Sequence, residues 1–174
     1  MIYFGFDHHK RWTQAVAMDE QGRVLREGRV LNDSASLKRF LRGLPKPWKG
    51  VVEAGPTWGW IYDTLSQAGV EMIVAHPSHL RAIAEAKIKT DKIDARMLAN
   101  LLRVDLIPAV YVPCEEVRAQ KMLWRERIWL VRMRVRLKNR IHRLLTAYHV
   151  SIPEFSDLFW AAGRRFLEAL KLPE

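Results

Sequence analysis

A single cysteine, Cys114, leaves no room for an internal disulfide framework or a cysteine-rich zinc site, and its expected role is that of a small apolar side chain. Long apolar runs are missing too. None approaches the roughly 20 residues that span a bilayer, and the N-terminus lacks the basic-then-apolar pattern of a signal peptide, so no membrane partner and a soluble, cytoplasmic protein are expected. Acids are in deficit, with 19 Asp and Glu against 29 Lys and Arg, for a formal net charge of +10. Proline and glycine are both absent from Glu115 to Tyr148. What the chain does have is enough apolar material, 49% of 174 residues, for the core of one ordinary domain with an appendage.

The excess charge is concentrated. Glu115 to Tyr148 holds ten Lys or Arg against three acids, which leaves only +3 for the remainder. A soluble chain with one such segment points to a polyanionic partner, nucleic acid, and hence to association with the nucleoid.

Ile2 to Phe6 reads as an apolar strand closing on Asp7, Trp12 to Met18 as a second strand, and Arg23 to Leu31 as a third after the turn Asp19-Glu20-Gln21-Gly22, which makes an antiparallel meander. Asn32-Asp33-Ser34 then caps a helix carrying Leu37, Phe40, Leu41 and Leu44, ended by Gly43 and Pro45. Gly50 to Glu53 is a fourth strand, again closing on a carboxylate. A helix opening at Pro56 and Thr57 follows, with Trp58, Ile61, Tyr62 and Leu65 inward and Gly69 as its stop. Val70 to Ala75 is a fifth strand, and a helix follows from about His79. Right-handed crossovers set the fourth strand parallel to the first, giving a mixed five-stranded α/β layer fold.

In such a sheet Asp7 and Glu53 occupy the carboxyl ends of neighbouring strands about 4.8 Å apart, the edge at which open α/β sheets bind ligands. Lys89-Thr90-Asp91-Lys92-Ile93-Asp94-Ala95 is the other informative stretch. Thr90 suits an N-cap, and Ile93, Met97 and Leu101 recur every four residues, so a helix opening at Thr90 would hold Asp91 and Asp94 on one face. Asp91, Asp94, Asp7 and Glu53 at one edge would repel one another unless cations intervened. Two divalent ions about 3.5–4 Å apart would neutralise them, and all-oxygen ligation suits Mg²⁺ or Mn²⁺.

Asp7-x-x-Lys10, Glu53-Ala54, and His76-Pro77 leading to Lys89-Thr90-Asp91-x-x-Asp94-Ala95 resemble the N-terminal domain of the DEDD insertion-sequence transposases and Piv-type DNA invertases. The resemblance implies an RNase H/RuvC-like domain with Asp7, Glu53, Asp91 and Asp94 as catalytic metal ligands. It also implies a helical coiled-coil region, and a further domain bearing a serine nucleophile, in a recombinase guided by a structured RNA. Two turns depart from the family pattern, Ala54-Gly55-Pro56-Thr57 and His76-Pro77, and neither contains a ligand. No serine here stands in a nucleophile-like setting, so the chain is expected to be a fragment, inactive alone.

The Pro- and Gly-free segment reads as one helix, about 50 Å long at 1.5 Å per residue. Leu123, Leu130, Leu137 and Leu144 recur at heptads, preceded three residues earlier by Gln120, Arg127, Arg134 and Ile141, which is not a clean zipper. The expected arm dimerises through those leucines and meets nucleic acid through Arg118, Lys121, Arg125, Arg132, Arg136, Arg140 and Arg143, with Lys10 and Lys89 as phosphate contacts beside the carboxylates. Phe155, Leu158, Phe159, Phe166 and Leu170 suggest one or two short helices packing on the arm. The domains expected are 1–108 for the metal-binding unit, 114–149 for the arm and 150–174 for a short helical segment. His8 and His9, beside Asp7, are either metal ligands or bases, or hydrogen-bond locally. The expected function is the metal-binding catalytic domain of a DNA recombinase, acting on DNA with a structured guide RNA as a homodimer. The rivals are a self-sufficient RuvC-like nuclease and a non-catalytic RNA-binding dimerisation module.

Overall fold

The computed structural model describes the backbone of residues 1–83 and 91–171, and the side chains of these except 81–83 and 91–93. Lys89 and Thr90 therefore lie outside the described residues, as does the side chain of Asp91.

Strand β1 (Ile2–His8) pairs antiparallel with β2 (Trp12–Met18), and β2 pairs with β3 (Val24–Leu31), also antiparallel, with a register slip at Ala17/Met18. On its other side β1 pairs in parallel with β4 (Trp48–Glu53), which in turn carries β5 (Glu71–Ala75) in parallel. The order β3-β2-β1-β4-β5 is the mixed five-stranded sheet that the sequence leads one to expect.

Apolar residues alternate along β1 and divide between two helical layers, as the period of a strand requires. Phe4 and Phe6 face α1 (Ser34–Leu41) and α2 (Trp58–Gln67), where they join Leu37, Phe40, Leu41, Ile61 and Leu65 in the larger core. Helix α1 opens where expected: the Asp33 carboxylate accepts the Ser36 N–H at 2.7 Å, and Gly43 supplies a positive φ just past its end. Helix α2 begins at Trp58, two residues later than Pro56, and Thr57 at its N-cap makes no side-chain bond. The next helix, α3 (Pro77–Ile83), opens on its proline and not at His79.

The opposite face of the sheet carries α4 (Asp91–Arg103). Its buried stripe is Ala95, Leu98, Ala99 and Leu102, whereas Met97 and Leu101 are only half-buried. The reason is Gly5. A Cβ built there would stand 2.0 Å from the Ala95 carbonyl oxygen and 2.6 Å from the Ala99 nitrogen, so the helix rests directly on strand backbone through its alanines.

This first compact unit runs to Val112, beyond the 108 suggested by the sequence, because 109–112 returns to the sheet. Ala109 bridges Ala75, Val110 donates to the Val74 carbonyl at 2.8 Å, and Val110 and Val112 pack on the larger core.

The second unit, Pro113–Glu174, is built on α5 (Glu115–Ala147), one unbroken helix of 33 residues. Cys114 sits at its N-cap and is exposed, not the small apolar filler expected. One short helix follows, α6 (Ala161–Ala169), with Gly163 so close to Leu158 that a Cβ would meet its carbonyl oxygen at 2.1 Å. Segment 155–166 packs on the last turns of α5: Lys138 Nζ donates to Asp157 at 3.1 Å, His142 meets Phe159 edge-on at 5.4 Å, and Leu145 and Leu158 are buried. These contacts make arm and tail a single unit.

Candidate active site

Phe6 is level with Val52 in the β1–β4 ladder, so one further step sets Asp7 level with Glu53 at the carboxyl ends of both strands. Their faces also agree. Gly5 and Asp7 share one face of β1, the face on which Ala95 rests, while Val51 and Glu53 share one face of β4, the face that Leu98 and Leu102 cover.

The direction of α4 then decides what comes to this edge. At its far end Arg103 donates to the Glu20 carbonyl at 3.3 Å, in the turn after β2, beside the start of β1. The helix therefore runs antiparallel to β1, with its N-terminus toward Asp7. From Ala95 back to Asp91 is about 6 Å of helix rise, and from Gly5 on to Asp7 is about 6.6 Å of strand. The backbone of Asp91 thus comes level with Asp7 on the same side of the sheet, and Asp94 immediately precedes the alanine seated on Gly5.

The surroundings of Asp7 are specific. Its Oδ2 lies 3.0 Å from His9 Nε2, and the carboxylate is 22% exposed. The His9 ring lies tilted by 40° against that of Trp12 with centroids 4.1 Å apart, and the Arg29 guanidinium lies 4.0 Å from the Trp12 ring centroid. Directly across from Asp7 on β2 is Gln14, only 8% exposed, on the same face. Sequence reasoning passed over Gln14, Trp12 and Arg29. The signal was the hairpin itself, because a turn closed between His9 and Trp12 fixes Asp7 opposite Gln14.

The two histidines do different things. His8 points to the face opposite Asp7 and bonds through Nδ1 to Thr13 Oγ1 at 2.8 Å. The Thr13 hydroxyl donates to Asn32 Oδ1 at 2.7 Å, so its oxygen accepts from His8, fixing the Nδ1–H tautomer when the ring is neutral. Burial, and then the neighbouring His9 charge, lower the His8 pKa from its ordinary value. His8 is thus a local hydrogen-bonding residue, whereas His9 orients Asp7.

Among the described residues no three His, Cys, Asp or Glu side chains come close enough to hold a metal ion, and the side chain of Asp91 is not among those described. The two strand-end acids there, Asp7 and Glu53, offer carboxylate oxygens, the ligation suited to a hard divalent cation. Lys10 is exposed beside the site. Lys121, Arg125, Arg132, Arg136, Arg140 and Arg143 are exposed along α5, and Arg118, half-buried, donates to the Pro113 carbonyl at 2.9 Å.

A family model of IS110-type DEDD transposases, described as transposase, matches residues 4–150. The chain belongs to this transposase family. Among its relatives, the transposase for insertion sequence element IS1533 of Leptospira borgpetersenii is 32% identical over 106 residues, 59% of this chain and 31% of that protein. The putative transposase y4qE of Sinorhizobium fredii is 34% identical over 119 residues, 65% of this chain and 30% of that protein. An uncharacterized protein of insertion element IS116 from Streptomyces clavuligerus is 27% identical over 178 residues, 93% of this chain and 42% of that protein. The chain thus spans between 30% and 42% of the length of these relatives. Solved structures of T. thermophilus RuvC are also similar, each over 63% of this chain: one in complex with a Holliday junction substrate, at TM-score 0.48 and 13% identity over 99% of that chain, the other at 0.46 and 16% over 100%. No helix among the described residues is long and apolar enough to cross a membrane.

Proposed function

We propose that this chain is the carboxylate half of a DNA recombinase: it binds divalent metal at Asp7, Glu53, Asp91 and Asp94 and positions a DNA phosphate there for strand cleavage and exchange. The observation that carries the reading is the convergence of two level strand-end acids with the N-terminus of α4, within the segment matched by the transposase family.

Mg²⁺ or Mn²⁺, bound as two ions, would neutralise the carboxylates and supply electrostatic stabilisation to the phosphate undergoing displacement. The chain's own residues have separable tasks. His9 holds the Asp7 carboxylate in orientation through the 3.0 Å contact. Gly5 sets how closely α4 approaches the strand ends and hence how near Asp91 and Asp94 come. Lys10, with Lys89, binds phosphates flanking the reacting one. The arginines of α5 hold DNA and a structured guide RNA, and the Leu123 to Leu144 row joins two copies. The nucleophile is a serine contributed from outside these residues, and holding it within about 3–3.5 Å of the phosphate can supply roughly 7–11 kcal/mol of the barrier.

The test is thermal. Because a native-state ligand raises stability by mass action, millimolar Mn²⁺ should raise the melting temperature, and Asp91→Ala should abolish the shift without unfolding the chain. An unchanged Mn²⁺ response in the variant would remove these acids from the site. On this reading the 174-residue chain binds metal and DNA but does not cut. Nicking of supercoiled or junction DNA that vanishes in Asp7→Ala would instead mean a self-sufficient nuclease.

A further inference from the structure

Charge is uneven within the sheet unit as well. Residues 23–49 carry eight Lys or Arg against two acids, a surplus of +6, whereas the remainder of the unit up to Val112 carries eight against ten, or −2. The basic stretch is β3, α1 and the start of β4, and β3 is an edge strand of the sheet. Along that edge, against α1, lies a cleft of about 460 Å³ lined by Arg26, Arg29, Arg39 and Arg42 together with Phe40 and Ser36, and no Asp or Glu is among its lining residues.

The cations of this cleft are held without being neutralised. Arg26 is half-buried, its guanidinium 5.9 Å from the Phe40 ring centroid and donating to the carbonyl oxygens of Phe40 and, at 2.9 Å, of Arg42. Carbonyls satisfy N–H groups but carry no net charge, so a full positive charge stays fixed in the wall of the cleft. Arg29, Arg39 and Arg42 are exposed. The two acids of the stretch are turned to other tasks: Asp33 caps α1 through the Ser36 N–H, and Glu27 pairs with Arg96 on the face of β3 opposite Arg26. Lys46 and Lys49 do not line the cleft, and they meet the Trp48 ring at 4.9 Å and Glu71 at 3.8 Å instead. Arginine to the exclusion of lysine suits phosphate, whose oxygens a planar guanidinium binds in pairs.

Position selects the polyanion. Asp7 stands opposite Gln14, and Gln14 opposite Arg29, in one row across β1, β2 and β3 on one face of the sheet. At about 4.8 Å per strand, the backbone of Arg29 is about 10 Å from that of Asp7. Arg29 also lines the cleft, so it joins the carboxyl edge to the arginines beside α1. We propose that the cleft between β3 and α1 holds the phosphodiester backbone of the DNA whose reacting phosphate lies at Asp7 and Glu53, with Arg39 and Arg42 contacting phosphates beyond the reacting one. That the backbone is DNA rests on the proposed function; that the cleft takes phosphate rests on its own arginines.

Two measurements on the full chain test this. In a salt series read by fluorescence anisotropy on junction DNA, Arg39→Glu with Arg42→Glu should lower the slope of log affinity against log salt by about 1.4–1.8, the loss of two phosphate contacts. Lys38→Glu with Lys46→Glu, an equal change of charge outside the cleft, should lower it by less than half as much. The second measurement changes no charge. In a Cys114→Ser background, Ser36→Cys carrying a photoreactive benzophenone should label junction DNA, whereas Gln21→Cys, in the turn after β2, should not. An unchanged slope, or binding without label from position 36, would overturn the cleft, and the Mn²⁺-dependent melting of Asp91→Ala reads the carboxylate site separately. Label from position 36 on an RNA hairpin and not on DNA would overturn the choice of DNA.

Discussion

At the scale of single residues, Gly5 sets how closely α4 approaches the strand ends. It is the floor on which Ala95 and Ala99 rest, and those alanines bring the N-terminus of α4 to the strand ends. Gly5→Ala must push helix and sheet apart, at a cost of about 1–3 kcal/mol of overpacking. The expected outcome is a lower melting temperature together with a weaker Mn²⁺-dependent shift, whereas Gly28→Ala, where nothing lies within 4 Å, should change neither comparably. Calorimetry with and without Mn²⁺ checks both. In the second unit Asp157 performs a different task. The Phe159 N–H bond first, then the Lys138 ammonium, hold its carboxyl below the ordinary 3.8 despite opposing desolvation. A depressed folded-state pKa contributes stability that is complete above the unfolded value and lost as pH falls through the folded one. Asp157→Asn should therefore melt below wild type at pH 7, and the difference should shrink as pH falls below about 3.8. A difference that persists unchanged at pH 2 would show that the carboxylate's charge is not what holds the segment.

At the scale of elements, α5 joins two demands on one helix, an apolar row and a basic surface. Each phosphate neutralised contributes about −0.7 to −0.9 to the slope of log affinity against log salt. Replacing Arg132, Arg136 and Arg140 with Glu should flatten that slope by about 2–3 and weaken binding across unrelated sequences alike, as measured by fluorescence anisotropy in a salt series. Equal slopes would move the nucleic-acid surface elsewhere. The elements themselves were largely legible in sequence, because strand alternation and the turn residues Gly22, Gly43 and Gly69, all at positive φ, are local signals. Trp12–Met18 was readable to the residue for that reason. The buried face of α4 was not. The recurrence of Ile93, Met97 and Leu101 marks a helix, but the seat of that helix is set by a glycine ninety residues before Ala95, a non-local fact that no helical period contains. Likewise Asp7 and Glu53 could be seen to end strands, whereas the partnership of Asp7 with His9 and its place opposite Gln14 depend on the geometry of one turn.

At the scale of the whole molecule, the proposed function divides chemistry from grip between the sheet unit and the α5 unit. The sheet unit sets Asp7 and Glu53 at its strand ends, and the basic helix supplies most of the surplus charge of a +10 chain. On the proposed function, membership of a DEDD transposase family gives such carboxylates a chemical reason to be together, since four acids at one edge would repel one another unless cations shared it. The measurement that meets this account most directly is anomalous diffraction from crystals grown with Mn²⁺. The account expects manganese peaks bounded by Asp7, Glu53, Asp91 and Asp94, and their loss in crystals of Asp7→Ala. Manganese bound elsewhere, with those four carboxylates turned to solvent and no peak between them, would contradict it.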